Sequence, residues 1–401
     1  MPFNIEKIRA DFPVLKGNHY LDSACMSLRP NQVVDKINEY YKEYPACAGR
    51  SYHKFGKKVT DEVEKARKIV KDFIGAKKEK EIIFSKNATE SINLVANGME
   101  FSEGDVVLTL DKEHNSNLLP WIKLKDKGVI HEIVETNDDN TFNMEKFEEK
   151  LDKHDEKVKL VAFGLTSNLD GVSIPGSEIV KKAHKAGALV LFDAAQTVPH
   201  HEVNVKKLDV DFLAFSGHKM CGPSGVGVLY GKEELLMKLT PMIVGGETVI
   251  DSTYDSFELE ELPSRLEAGL QHYAGILGLG CACEYLKKIG MKEIEKHELK
   301  LNEIMSELMK LDKVEIIGPV DPKLRGGIFN FNIDGMEPHN IAMMLDESSN
   351  VMVRSGAHCV HSWFNAKGLK GSVRASAYFY NSEEDVRAFV DAVKGLVKDF
   401  S

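Results

Sequence analysis

Short apolar runs without internal alternation recur along the first two thirds of the chain. They are EIIF (81–84), DVVLTL (105–110), VKLVAFG (158–164), ALVLFD (188–193), DFLAF (211–215) and VGVLYG (226–231). Such runs predict strands that are covered on both faces, as in a parallel sheet. Helical spacing occurs between them, as in the apolar stripe Val59, Val63, Ala66, Val70 and Phe73. Alternating strands and helices predict an α/β fold with a mainly parallel, doubly wound sheet.

After about residue 262 the pattern changes to long helices followed by a few strands. The segments are a helical stretch at 272–311, a strand-like GGIFNFNI at 326–333, a helix near 338–348 and a last helix after Asn381. This order predicts a smaller α+β domain. We therefore expect a large domain at 21–261 and a small domain formed by 1–20 together with 262–401.

Composition and charge narrow the class of protein. The chain has 401 residues, 43% apolar and 28% charged, which is typical of a globular protein long enough for two domains. Its formal net charge of −10 gives no electrostatic support for binding nucleic acid or anionic membranes. No apolar run approaches the roughly 20 residues of a membrane span, and the first residues lack the pattern of a secretory signal. Six cysteines in this length fit a reducing compartment, so we expect a cytoplasmic protein.

Several polar residues directly follow predicted strands. They are Asn168 after VKLVAFGLTS, Asp193 and Gln196 at the end of ALVLFD, and Ser216, His218 and Lys219 after DFLAF. Taken singly, each is typical of a loop cap or of a side chain that extends to water. In an open α/β sheet, however, ligands bind beyond the carboxyl ends of the strands. Their shared position therefore indicates a ligand site.

The chemistry of two of these residues indicates a pyridoxal phosphate site. A desolvated lysine such as Lys219 has a lowered pKa and can form a Schiff base, and a carboxylate such as Asp193 keeps a pyridinium nitrogen protonated. The start of the helix after Asn87, with the Thr89 hydroxyl, fits a phosphate cradle and a simple helix cap equally well. His114, after the second predicted strand, fits either a ring-stacking residue or a surface histidine.

A set of motifs, in order along nearly the whole chain, resembles the class V aminotransferase family of fold type I (aspartate aminotransferase-like) pyridoxal-phosphate enzymes. The motifs are NATESINLVA, EHNSNLLPW, SNLDG, FDAAQTVPHH, FSGHKMCGPSGVGVLYG, RLEAG, VRSGAHCV and VRASAYFYN. Within that family, RSGAHC is similar to the group II cysteine desulfurases of the SufS/CsdA type. The resemblance implies pyridoxal 5'-phosphate as cofactor, L-cysteine as substrate, a homodimer, and delivery of sulfur to an acceptor or scaffold protein for iron–sulfur cluster assembly.

The resemblance also implies a role for each matching residue around the cofactor ring. Lys219 would bind the cofactor covalently, and Asp193 would pair with its pyridinium nitrogen. His114 would stack on the ring. Gln196 and Asn168 would lie near the ring's phenolic oxygen and the substrate.

A second group of matching residues would bind the phosphate and the substrate. The phosphate would lie against Ala88, Thr89, Ser216 and His218. Arg374 would bind the substrate carboxylate, for which a guanidinium fork is well suited, and Arg354 would support it. Cys359 would be the nucleophile that takes the sulfur as a persulfide.

The assignment of Cys359 has alternatives. A persulfide-forming nucleophile needs a thiolate close to the substrate sulfur, with positive charge nearby. HCVH also offers three candidate metal ligands, His358, Cys359 and His361, although the spacing fits no common zinc pattern and we expect no metal. A buried, inert cysteine is the remaining alternative.

The sequence departs from the family's pattern at several positions. Leu270 replaces a threonine that in relatives usually reaches the neighbouring subunit's phosphate, Ala357 replaces a common histidine, and Ala88 replaces a threonine. The proline that often follows the cysteine is also replaced. We expect these changes to affect phosphate binding across the subunits, the rate of desulfuration and the choice of sulfur acceptor. Alternatives to desulfuration are selenocysteine lyase, aminotransferase or epimerase activity, or a sulfur-relay or scaffold protein without activity.

Overall fold

The computed structural model describes residues 3–400 of the chain. Its centre is a seven-stranded sheet. In sheet order the strands are Ile82–Ser85, Gly227–Gly231, Phe212–Ser216, Leu189–Asp193, Val158–Gly164, Val106–Leu110 and Ile130–Val134. Gly227–Gly231 is antiparallel to both neighbours, and the other adjacent pairs are parallel. The prediction of an α/β fold with a mainly parallel sheet is confirmed.

Successive side chains of the strands pack into two separate apolar cores, one on each face of the sheet. Val106 and Leu108 belong to one core and Val107 to the other, and Ile82 and Ile83 are divided in the same way. This double covering is the reason for the continuous apolar runs in the sequence. The helices of this part are Asn31–Glu43, Lys54–Ile74, Ala88–Gly98, Leu119–Lys123, Met144–His154, Gly176–Lys185, Val205–Leu208 and Glu233–Leu236.

A second sheet, of four antiparallel strands, lies in the last third of the chain. In sheet order its strands are Val314–Ile316, Ile328–Ile333, Ser372–Ser376 and Arg354–Gly356. The helices of this part are Met291–Met305, Pro338–Ser349, His361–Ala366 and Glu383–Asp399. The helix before them, Tyr273–Ile289, packs into the first core of the large sheet. Strands and helices of a smaller α+β unit are thus present, with a third apolar core. The domain bounds at 20/21 and 261/262 stay a prediction.

The N-terminal residues pack against this second part. The short helix Ile5–Arg9 contacts the C-terminal helix through an ion pair between Arg9 and Asp385. The strand His19–Tyr20 pairs in parallel with Val351–Met352. None of the helices between residues 3 and 400 has the length and apolar character needed to cross a lipid bilayer.

All six predicted strands of the large sheet are present, with ends that differ from the predicted ones by at most one residue. The strand Ile130–Val134 was not predicted. It lies at the edge of the sheet, and its first four residues are at least partly exposed. A hairpin of Val249–Ser252 and Phe257–Leu259 was also missed, since most of its residues are exposed and the segment has no apolar run.

Candidate active site

A cavity lies at the carboxyl ends of the central strands. Its lining includes His114, Asn168, Asp193, Gln196 and Lys219, all of which were predicted from the sequence. They follow four adjacent strands of the large sheet. The parallel sheet therefore brings together residues that are far apart in the chain.

Lys219 ends a single 3-10 turn, Gly217–Lys219, that follows the strand Phe212–Ser216. Its side chain is partly buried at the cavity wall. Burial lowers the pKa of its amine, the Asp193 carboxylate partly offsets this effect, and Arg374 adds to the lowering. The neutral amine is the nucleophilic form of lysine. The environment of Lys219 thus favours the form that covalent chemistry requires.

Asp193 ends the strand Leu189–Asp193 and is 8% exposed. Its Oδ1 accepts a hydrogen bond from the Ala195 amide at 2.9 Å. Burial raises the pKa of this carboxyl, and Lys219 and the Ala195 amide lower it. A buried carboxylate requires a cationic or hydrogen-bonding partner. Asp193 is therefore suited to bind the protonated nitrogen of a heterocycle.

The imidazole of His114 is held in one orientation and one tautomer. Its Nδ1 accepts a hydrogen bond from the Ser116 amide at 3.1 Å, which places the ring proton on Nε2. Burial lowers the pKa of His114 to about 3, and the charges of Lys219 and Arg354 act in the same direction. The ring is therefore neutral at physiological pH and available to stack on a planar ligand.

Glu113, the residue before His114, is a buried carboxyl that the sequence reasoning did not single out. Its oxygens accept hydrogen bonds from the Gly164 amide at 2.7 Å and from the Asn117 side chain at 2.9 Å. Burial raises its pKa to about 8, and Asp193 adds to the increase. These contacts hold the segment with His114 against the sheet. The only available signal was an acid next to a candidate ring-stacking histidine in EHNSNLLPW.

The helix Ala88–Gly98 begins beside the cavity with a capping residue. Asn87 Oδ1 accepts a hydrogen bond from the Glu90 amide at 3.0 Å. The helix-cap interpretation of this segment is therefore confirmed. A side-chain cap on one amide does not exclude an anion at the same helix start, so the cap and the cradle are compatible.

Two hydroxyl groups lie at this helix start. Ser216 Oγ accepts a hydrogen bond from the Ala88 amide at 2.9 Å, and Thr89 Oγ1 lies 2.7 Å from Ser116 Oγ. His218 lies on the turn that follows Ser216, and burial lowers its pKa to about 4. Ala88, Thr89 and Ser216 are thus close together, and their binding of a phosphate stays a prediction.

Arg374, in the second sheet, contacts Asn168 of the cavity lining. It is 1% exposed; Nη1 donates to the Asn168 carbonyl at 2.8 Å and Nη2 to Asp22 Oδ1 at 3.2 Å. Burial lowers the pKa of Arg374, and Asp22 opposes this effect. Its Nε has no hydrogen-bond partner among the described residues. The guanidinium therefore keeps a donor for a ligand carboxylate, while Asp22, which the sequence reasoning missed, holds its other end.

The loop with Cys359 is attached to the cavity rim. The Asn168 side chain donates to the His358 carbonyl at 2.8 Å, and the Asn115 amide donates to the Cys359 carbonyl at 2.8 Å. His358 and Cys359 have φ angles of 49° and 62°, in the left-handed region that few side chains adopt. Arg354 Nη2 lies 3.5 Å from the Cys359 sulfur. The structure therefore places the Cys359 loop against Asn168 of the cavity lining, with Arg354 beside its sulfur. The roles that the resemblance implies for these two residues stay predictions.

The two histidines beside Cys359 contact other groups. His358 Nε2 lies 3.0 Å from Ser372 Oγ, and His361 Nδ1 lies 3.0 Å from the Asn115 side-chain nitrogen. Within the part of the chain that the structure describes, no three His, Cys, Asp or Glu side chains are grouped to hold a metal ion. The geometry of this loop thus gives no support to the metal alternative.

Two residues that depart from the family pattern are Leu270, at the surface, and Ala357, in a small apolar cluster. Leu270 is 70% exposed and lines a surface depression together with Lys86 and Glu90. Ala357 is partly buried and packs in a small apolar cluster with Trp363. Their expected effects on phosphate binding and on rate stay predictions.

Comparisons with known proteins agree with the fold and the motifs. The family model described as aminotransferase class-V matches residues 19–389. A probable cysteine desulfurase of Pyrococcus abyssi is 41% identical over 399 residues, which cover 98% of each chain. Among solved structures, the cysteine desulfurase of Thermococcus onnurineus NA1 is 41% identical with a TM-score of 0.94, covering 98% of each chain. The cysteine desulfurase CsdA of Escherichia coli is 30% identical with a TM-score of 0.92, covering 99% of each chain. The predicted resemblance is confirmed, and this chain belongs to the class V aminotransferase family.

Proposed function

We propose that this enzyme is a pyridoxal-phosphate-dependent cysteine desulfurase that converts L-cysteine to L-alanine and leaves a persulfide on Cys359. The observation that carries the proposal is the Cys359 loop, which is hydrogen-bonded to Asn168 in the cavity with Lys219 and Asp193. The names of full-length relatives support this activity over selenocysteine lyase, aminotransferase or epimerase activity. The substrate C–S bond breaks with its electron pair on the carbon, which takes up the proton lost by the Cys359 thiol, while an S–S bond forms between Cys359 and the substrate sulfur.

The cavity has the groups that pyridoxal 5'-phosphate requires. Lys219 supplies an amine with a lowered pKa, Asp193 a buried carboxylate for the ring nitrogen, and His114 a neutral ring for stacking. Gln196 Oε1 is buried at the cavity and has no hydrogen-bond partner within residues 3–400, so a ligand can satisfy it. When bound, the cofactor supplies an electron-withdrawing ring that stabilises negative charge at the substrate Cα. The phosphate would be bound by Ala88, Thr89, Ser216 and His218.

The chain's own residues bind and orient the substrate. The Arg374 fork binds the α-carboxylate, supported by Arg354, and Asn168 positions the substrate beside the ring. Lys219, whose pKa is lowered by burial, removes the proton from Cα. Cys359 attacks the substrate sulfur from a loop that Arg354 contacts at 3.5 Å.

A substitution of the nucleophile tests this proposal. Cys359→Ala should keep the visible absorbance of the bound cofactor and lose alanine formation from L-cysteine, because only the sulfur acceptor has been removed. The assay measures alanine and sulfide together in the presence of a reductant. Cys47→Ala, which removes a partly exposed cysteine elsewhere, serves as a matched control and should retain parental activity. Full alanine production by Cys359→Ala would refute the persulfide role.

We also propose an oligomeric state, a compartment and a sulfur acceptor for this enzyme. The enzyme would act as a cytoplasmic homodimer and pass the sulfur to an acceptor or scaffold protein for iron–sulfur cluster assembly. Its six free cysteines support a reducing compartment, and the partial exposure of Cys359 supports access by an acceptor. The large domain at 21–261 would bind the cofactor, and the small domain (1–20 and 262–401) would carry the Cys359 loop.

A further inference from the structure

A turn near the N-terminus brings a second cysteine, Cys25, to the active site. The Ala24 carbonyl accepts a hydrogen bond from Gln196 Nε2 at 2.7 Å. The Ser27 amide donates to the His218 carbonyl at 2.9 Å. Because Gln196 lines the cavity and His218 lies next to its lysine, these two bonds fix the turn at the cavity. Cys25 lies between the two anchored residues and is partly exposed.

Charged side chains of the site act electrostatically on this thiol. Three cations interact electrostatically with Cys25: Lys219, Arg354 and Arg374. Burial raises the pKa of Asp22, and Arg374 and Arg354 limit the increase. The Cys25 amide donates to the Asp22 carbonyl at 3.1 Å. Cys25 therefore faces the same charges that the proposed function assigns to substrate binding.

Arg354 is shared between Cys25 and Cys359. Its Nη2 lies 3.5 Å from the Cys359 sulfur. Burial lowers the pKa of Arg354, but Cys25, Cys359 and Asp22 together raise it overall. Two thiols thus lie near one guanidinium. The segments that carry the two thiols are joined through Arg374, which donates to Asp22 beside the Cys25 turn at 3.2 Å and to the Asn168 carbonyl at 2.8 Å. The Asn168 side chain in turn donates to the His358 carbonyl, next to Cys359, at 2.8 Å.

Two buried polar atoms near the Cys25 turn have no hydrogen-bond partner in the described part of the chain. Gln196 and Arg374 are 3% and 1% exposed, and Gln196 Oε1 and Arg374 Nε have no hydrogen-bond partner among residues 3–400. Buried polar atoms of this kind are usually satisfied by a ligand or by water. The Cys25 turn therefore borders a ligand-binding space and not a closed core.

We propose that Cys25 is a second sulfur-accepting residue, which takes the outer sulfur from the Cys359 persulfide. This inference rests on the proposed function, which supplies that persulfide. The Cys25 thiolate attacks the outer sulfur, the S–S bond on Cys359 breaks, and a new S–S bond forms on Cys25. The electron pair leaves on the Cys359 sulfur, which takes up the proton released by Cys25. The exchange needs no external oxidant or reductant.

The exchange regenerates the Cys359 thiol inside the site. Cys359 can then accept sulfur from another L-cysteine before any acceptor has arrived. In the absence of an acceptor, each subunit therefore holds two sulfur atoms and has released two molecules of alanine. In a burst too short for free L-cysteine to remove this sulfur, an enzyme that uses Cys359 alone stops after one.

The test counts alanine and locates sulfur in the holoenzyme. The cofactor-loaded protein is mixed with two equivalents of L-cysteine per subunit, without other reductant, and quenched with an alkylating reagent before free L-cysteine can attack the persulfide. Alanine per subunit is then measured, and cysteine peptides are mapped by mass spectrometry. The parent protein should release two alanines and carry an additional sulfur on both Cys25 and Cys359. Cys25→Ala and Cys25→Ser should release one alanine with sulfur on Cys359 alone, and Cys47→Ala should match the parent.

Each other result has a defined meaning. One alanine from the parent, with sulfur confined to Cys359, overturns the inference and leaves the proposed function intact. A disulfide between Cys25 and Cys359 with free sulfide also overturns it, because the inner sulfur was attacked instead. Sulfur on Cys25 in the Cys359→Ala variant contradicts the order of transfer. Absence of alanine from the parent overturns the proposed function itself. Peptide mapping of the parent gives an answer even where a variant does not fold.

Discussion

The carboxyl of Glu113 beside the cavity ties the stability of the site to pH. Burial raises its pKa to about 8 from the usual 4.5. Between those values the folded protein keeps a proton that the unfolded chain has released, so rising pH favours unfolding. The stabilising contribution of the neutral form is therefore complete below about pH 4.5 and is lost as the pH passes through about 8.

Glu113→Gln should remove this pH dependence, since an amide does not titrate. We expect the free energy of unfolding of the variant, relative to the parent, to increase by a few kcal/mol between about pH 5 and about pH 9, at ~1.4 kcal/mol per pKa unit. Urea unfolding at several pH values measures the difference. Glu100→Gln, at an exposed position, controls for the lost charge. A difference that stays constant across this range contradicts the assignment.

At the residue scale, the sequence shows which polar residues follow a strand, but it does not show which residues far away in the chain they contact. Lys219 and Asp193 could be predicted because each ends or follows an apolar run at the carboxyl edge of the sheet. Asp22 could not, since its importance comes from a contact with Arg374 across 352 residues of chain. Glu113 was missed for the same reason, because Gly164 is its main partner.

At the scale of elements, one buried ion pair joins a helix, a strand and a loop. Arg67 of the helix Lys54–Ile74 binds both carboxylate oxygens of Glu267, at 2.7 and 2.8 Å. Arg67 also donates to the Ile82 carbonyl at 2.6 Å, and Glu267 accepts from the Phe84 amide at 2.6 Å. The first strand of the large sheet is thereby fastened to the segment RLEAG.

Arg67→Met should destabilise the fold strongly, because it leaves the Glu267 carboxylate buried without its cation. We expect a loss of about 3–5 kcal/mol in the free energy of unfolding. Chemical denaturation of the cofactor-loaded protein measures it. The next residue gives a matched control: Lys68 forms an exposed pair with Asp72 at 2.8 Å, and Lys68→Met should cost less than about 1 kcal/mol. Equal losses for the two variants would disprove the structural role of Arg67.

Prediction of elements from the sequence succeeds where both faces of a strand are buried. Val158–Gly164 was predicted with its observed ends because six of its seven positions, all but Lys159, are buried or nearly so. Ile130–Val134 was missed, because His131 and Glu132 interrupt its apolar pattern at the sheet edge. Edge strands satisfy only one row of hydrogen bonds and need only one apolar face, so their sequences are less distinctive.

At the scale of the whole molecule, the association of distant segments completes the site. The strand His19–Tyr20 pairs with Val351–Met352, and the turn that follows it presents Asp22 to Arg374. These contacts join the first residues of the chain to its last third. Apolar patterning predicts which faces are buried but not which remote segments meet, so this part of the site could be known only from the fold.

The proposed homodimer belongs to the same scale, and two exposed apolar residues indicate where its interface would lie. Leu270 and Ile243 line one surface depression and are 70% and 50% exposed. Exposed apolar side chains that share one surface indicate a protein interface. Leu270→Asp should therefore weaken the homodimer, since a buried unpaired carboxylate costs several kcal/mol, and about 3 kcal/mol corresponds to about 100-fold in the dissociation constant. Light scattering after gel filtration across a dilution series measures this change.

Val320→Asp, at a position that is also 70% exposed, is the matched control and should associate like the parent. If Leu270→Asp stays dimeric at every concentration at which the parent does, the interface lies on another surface.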